Sequence, residues 1–177
     1  MKALAFAIVA ASLVACTTTP TVHTDFDPSA NFGAYKTYSW ALKPTAGSPL
    51  VTQRIVDGVN ARLAARGLHE VANGELAIAA HIATSQQQTL DTFYSGTGMG
   101  GWGWRGGMGM GSATTTVRTF DVGTLVVDMF DAQSKQAVWR GTASGTVPSS
   151  PERVNVQVEA GLDKMFANFP PGAGATR

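Results

Sequence analysis

The chain has 177 residues, enough for one domain with short appendages, and 44% of them are hydrophobic. Its 13 basic and 12 acidic residues leave a formal net charge of +1 with no polybasic stripe, which argues against nucleic acid as the main partner. A single cysteine, Cys16, rules out an intramolecular disulfide.

That cysteine closes an N-terminal leader. Met1 and Lys2 form a short positive start, and residues 3–13 are an apolar run too short to span a bilayer. The run ends in Leu13-Val14-Ala15-Cys16, with small residues before a candidate cleavage site. This resembles the bacterial lipobox. The resemblance implies that residues 1–15 are a lipoprotein signal peptide, and that the Cys16 thiol receives a diacylglyceryl group before cleavage. The freed amine then takes a further acyl chain such as palmitate. Two or three acyl chains hold a protein on a membrane stably. Thr17, rather than aspartate, follows the cysteine. By the same resemblance this favours the cell outer membrane, with the domain facing the periplasm. An ordinary secreted protein with a chance cysteine at this place is the alternative. Residues 16–21 read as the lipidated cysteine and a tether, kept extended by Pro20 and four threonines. Loss of Lys2 with the leader leaves the mature charges balanced.

Residues 22–171 read as one domain. Residues 22–26 form a short strand closed by Asp27-Pro28-Ser29. In the next strand Tyr38 and Trp40 share a face with Lys36, opposite Thr37 and Ser39, a pattern of half-buried packing. Ser48 is a candidate N-cap with Pro49 at the first helical position. Val51, Ile55, Val56, Val59 and Leu63 then recur at helical spacing. Gly67 is placed to end this helix in a left-handed turn, and Gly58 suggests close packing in its middle. Residues 68–74 read as a connector, with His69 on the surface near the helix C-terminus. Leu76, Ile78, Ala80 and Ile82 alternate with Ala77, Ala79, His81 and Ala83, which predicts a strand.

Composition changes at Gln86. From there to Thr116 polar residues give way to a glycine-rich centre holding Met99, Trp102, Trp104, Met108 and Met110. So much glycine does not repay its ordering entropy by burial, and residues 95–113 read as a flexible loop. Residues 114–120 then predict a strand.

Residues 123–145 read as a β-hairpin around which the domain is organised. Leu125, Val126, Val127, Met129 and Phe130 make its first strand, and Trp139 anchors its second. Asp131 and Ser134 suit the turn. Arg140 is predicted to pair with Asp128 or Asp131 across the strands. Gly141 and Gly145 leave room on the Trp139 face for a bulky neighbour such as a helix. A second helix is expected after Ser149 and Glu152, at capping-box spacing. Its apolar stripe is Val154, Val158, Leu162, Met165, Phe166 and Phe169, ended by Pro170-Pro171, and residues 172–177 form a tail expected to be disordered. The expected fold is α+β: a largely antiparallel mixed sheet with two amphipathic helices packed on one face.

Asp27-Pro28 with Phe32, the run from Tyr35 to Trp40, Gly123-Thr124-Leu125-Val126-Val127-Asp128, Val138-Trp139-Arg140-Gly141 and Phe169-Pro170-Pro171 stand in a familiar order. Together with the lipobox they resemble the bacterial envelope lipoproteins of domain-of-unknown-function family 4136, across residues 22–171. The resemblance implies location and fold and carries over no catalytic residue.

Several constellations bear on chemistry. Gly98, Gly100 and Gly103 match a dinucleotide fingerprint but lack the flanking strand and helix that aim amides at pyrophosphate. Met99, Met108 and Met110 are candidate thioether ligands for cuprous ion. Trp102 and Trp104 are candidates for contact with a partner or a membrane interface. Asp121, Asp128 and Asp131 are the carboxylates open to pairing, and no G-x-S-x-G motif is present. The expectation is a non-enzymatic binding or structural module without cofactor, held to the membrane by Cys16 and contacting an envelope protein or peptidoglycan. The alternatives are a small-ligand or copper-ion carrier using the glycine-rich loop, and an unrecognised hydrolase.

Overall fold

The computed structural model describes residues 19–45, 48–94 and 113–171. Along the chain come β1 (Thr21–Phe26), β2 (Thr37–Leu42), α1 (Pro49–Ala64), β3 (His69–Glu70), β4 (Leu76–Tyr94), β5 (Ala113–Asp131), β6 (Ala137–Thr146) and α2 (Pro151–Phe166). The strands form one sheet in the order β1-β6-β5-β4-β2-β3. The pairings from β1 to β4 are antiparallel, and β2 runs parallel to both β4 and β3. This is the expected α+β fold.

Strand periodicity sorts the side chains between the two faces. On the helix side the register sets Ile78 opposite Met129 and Met129 opposite Trp139, with Ala80, Val127 and Gly141 in the next row. These residues are buried together with Ile55, Val59, Leu63, Leu162 and Phe166 of the helices. Gly141 is required by this packing. A Cβ there would lie 2.4 Å from Met165 Cγ and 2.5 Å from Trp139 Cη2. At Gly58 a Cβ would lie 2.6 Å from Leu162 Cδ1, so the two helices meet closely at that turn.

The helix ends follow local chemistry with two shifts. Gly67 has φ of 81°, and Leu68 N donates to Leu63 O at 3.1 Å, the backbone closure expected of a left-handed stop. Ser48 occupies the N-cap of α1, but its side chain accepts no capping bond. For α2 the cap is Ser150, which accepts from Arg153 N at 3.4 Å, rather than Ser149 with Glu152. Helix α2 stops at Phe166, and Phe169 turns back to meet Phe166, Trp139 and Phe32 at centroid distances of 5.4–5.8 Å. Arg66 fastens this end by donating to Phe169 O at 2.5 Å and to Phe166 O.

Two stretches differ from expectation. The connector after α1 contains β3, whose His69 and Glu70 pair in parallel with Thr37 and Tyr38. Two residues are too few for a periodic signal. The second difference is larger. Residues 86–94, assigned to no element from the sequence, continue β4 without a break, and Ala113, read as the end of the loop, opens a strand that runs to Asp131 with no boundary before the hairpin. Threonine-rich stretches suit strands, but a stretch polar on both faces shows no alternation to read.

Candidate functional site

The carboxylates considered for catalysis do not converge. Asp128 is buried on the helix-free face of the sheet, where Arg140 grips it through Nε–Oδ1 at 2.5 Å and Nη2–Oδ2 at 2.9 Å. The two residues stand directly opposite in the register, so of the two partners expected for Arg140 the structure selects Asp128 over Asp131. The Asp128 hydrogen bonds hold the Arg140 guanidinium above its ordinary pKa. Asp131 shapes the turn, its Oδ1 accepting from Gln133 N at 3.0 Å and Ser134 N at 2.7 Å. Its Oδ2 accepts from Tyr35 Oη at 2.9 Å. The Ser134 amide and the Tyr35 hydroxyl keep the Asp131 carboxyl below its usual range. Burial first, and then Asp131, push Tyr35 up to about 12. Asp121 sits far along β5, opposite Gln86.

The histidines are equally dispersed. His23, Thr142, Val126 and His81 occupy one row across four strands. Three strand spacings separate the two histidines by ~14 Å, too far to share a metal ion. Among the described residues no group of three or more His, Cys, Asp or Glu is placed to hold a metal. Trp139 is buried in the core, and Trp40 is a packing residue whose Nε1 donates to Asn60 Oδ1 at 2.9 Å. Cys16, Met99, Trp102, Trp104, Met108 and Met110 lie outside the described residues.

What the fold does build is a ribbon. Strand β2 pairs with β4 only as far as Ala79, and β6 pairs with β5 only between Val122 and Phe130. Beyond those points β4 and β5 run on as a pair, through Leu90 opposite Val117 to Tyr94 opposite Ala113. Ten residues of β4 past Thr84 extend ~34 Å at strand rise. Leu90 is 66% exposed and Val117 is 54% exposed, an apolar cross-strand pair in water. Among the described residues no strand is hydrogen-bonded to the outer edge of β4 beyond Ala79. That edge carries neither lysine nor proline between residues 80 and 94, the usual devices that discourage strand addition. The sequence signal for this site was faint: two isolated apolar residues in a threonine- and glutamine-rich setting.

The ribbon leaves the sheet at the end where the chain enters it. Thr21 pairs with Ser144, near the end of β6, and Val122 at the ribbon's base pairs with Thr146. Pro20, expected in the tether, is buried against this end, and β1 begins at Thr21.

A family model described as Domain of unknown function (DUF4136) matches residues 22–171. The chain belongs to this family. No curated protein matches the DUF4136 chain. Among solved structures it is similar to a PDZ domain protein from Parabacteroides distasonis, with 12% identity and a TM-score of 0.53. That match covers 86% of the DUF4136 chain and 36% of the other, so this chain spans about a third of that protein's length. It is also similar to PelC from Paraburkholderia phytofirmans, solved as a dodecamer in two crystal forms. The two forms give 13% and 15% identity, a TM-score of 0.50 in each case, and 84% coverage of this chain. They cover 95% and 96% of PelC. At these identities the likeness is one of fold.

Proposed function

We propose that this protein is a non-enzymatic envelope lipoprotein, anchored at Cys16 in the outer membrane and facing the periplasm. Its β4–β5 ribbon is the element that contacts another envelope component. The observation that carries the reading is the long outer edge of β4, together with the exposed Leu90–Val117 pair. A two-stranded ribbon is marginal in water by itself. An added strand supplies hydrogen bonds to the edge and covers the apolar pair, the mode known as β-augmentation. An anchor at Cys16 turns the ribbon end toward the bilayer, because Cys16 lies four residues before Pro20 and so within ~14 Å of it. The outer-membrane and binding assignments rest on the lipobox and the ribbon together.

Site-specific photo-crosslinking in living cells tests the contact. A probe replacing Thr89 on the ribbon is expected to yield a discrete protein adduct, while one at exposed Gln133 in the β5–β6 turn is not. Equal labelling at both positions, or none at Thr89, overturns the ribbon's role. Membrane fractionation tests the anchor: Cys16→Ser should move the protein to the soluble fraction, and unchanged membrane association would refute lipidation at Cys16.

A further inference from the structure

A cavity of about 280 Å³ lies where the ribbon leaves the sheet, between the sheet and the N-terminal parts of both helices. Its origin is visible in the side chains. Further along β6 the gap under α2 is filled by Trp139 against Phe166, with centroids 5.3 Å apart. At the ribbon end β6 offers Ala143 and Gly145 instead, and α2 faces them with Gly161. Gly161 lets α2 approach Ala143, where an added Cβ would lie 3.2 Å from Ala143 Cβ, and Gln157 lies over Gly145; the open space lies beside these contacts, and Val154 and Val158 of the α2 stripe are only half-buried. Pro20 closes the side toward the N-terminus.

The lining defines the chemistry that fits. None of the cavity residues is ionisable, and their polar side chains are uncharged hydroxyls and one amide. A charged ligand placed inside would lose its hydration without compensation. An apolar chain would recover the contacts the lining lacks, as apolar cavities of roughly half this size do for benzene. At the rim Val147 is 41% exposed, an apolar lip for a chain entering from outside.

We propose that this cavity binds the alkyl chain of a single-chain amphiphile drawn from the lipid phase, with its polar head left at the rim. Access to lipid rests on the anchoring reading above: Pro20, a wall of the cavity, is within ~14 Å of Cys16 by chain length. The site itself does not depend on the anchor.

The test uses the full chain carrying Cys16→Ser, which removes the protein's own acylation site and leaves every described residue in place. Dodecanoate is the probe, titrated by calorimetry, and native mass spectrometry of the purified chain reports any alkyl ligand carried through purification. One molecule per chain is expected. From octanoate upward affinity should rise about fourfold for each added methylene, until the cavity is full and the rise stops. Val158→Phe, which fills the space from α2, should weaken binding by about tenfold or more. Val154→Phe serves the same purpose should the first variant fail to fold. Val156→Phe, on the exposed side of the same helix, should bind as the parent does. No binding by the Cys16→Ser chain, or equal binding by folded cavity-filled and parental chains, overturns the proposal. Membrane fractionation of the unsubstituted protein tests the anchor separately, so the two failures cannot be confused.

Discussion

At the turn end of β5 and β6, Trp139, Met165, Phe166 and Phe169 fill the space between sheet and helix, and even a methyl group at Gly141 has no room. At the other end the same two strands line a cavity with Gly123, Ala143 and Gly145, and β5 leaves the sheet with β4 as a pair that no other strand among the described residues joins. The two strands pair from Val122 to Phe130, with one register shift between Met129 and Phe130 at the turn end. What differs is the cover. Stability is concentrated where bulky side chains meet a helix, while the ribbon end has surface and space to spare for a ligand or a partner strand.

The largest effect should come from breaking the packed end. Phe166→Ala removes a fully buried ring from the centre of the aromatic cluster and should cost about 3–5 kcal/mol in urea unfolding. A loss below 1 kcal/mol would mean that this end does not hold the fold. Arg140→Ala comes next. It leaves the Asp128 carboxylate, whose side chain is 7% exposed, without its partner. Because Arg140 itself is 60% exposed and water can take its place, the expected cost is about 1–2 kcal/mol, below that of a fully buried pair.

Acid sharpens the comparison from another side. The Glu75 carboxylate accepts from Lys36 N at 2.7 Å and from Thr37 N at 3.0 Å, and these bonds lower its pKa from 4.5. A lowered folded-state pKa means its contribution is present above pH 4.5 and is lost as pH falls through the folded value. Asp131 acts in the same sense from 3.8. Stability should therefore decline below that window, and Glu75→Gln should flatten part of the decline. An unaltered pH profile in this variant would remove Glu75 from the account. The smallest stability effect belongs to the ribbon: Leu90→Thr should change unfolding by no more than ~0.5 kcal/mol. The same substitution should reduce the Thr89 crosslink, and an undiminished adduct would show that the apolar pair is not part of the contact.

Much of the fold was legible because short-range periodicity and tertiary packing agree. The stripes from Val51 to Leu63 and from Val154 to Phe166 were helices, the alternation from Leu76 to Ala83 was a strand with Leu76, Ile78 and Ala80 buried, and Gly67 carried its left-handed turn. The turn at Asp131 behaved as its side chain suggested, while Lys135, at φ 63°, adopts a left-handed conformation that no glycine or asparagine announced. The ribbon was half legible. Residues 114–120 read as a strand, but 86–94 did not, because their strand character depends on a partner that begins at Ala113.

By itself the sequence determined the α+β class, the helix faces, a cross-strand partner for Arg140 narrowed to Asp128 or Asp131, and the family resemblance, all of which rest on residue type and local spacing. Only the tertiary structure decided how far β4 and β5 run on together, that the chain enters beside the ribbon's base, and that a cavity remains between the sheet and both helices at that end. Those features depend on register between segments far apart in the chain, and register is set by which face must be buried against which neighbour.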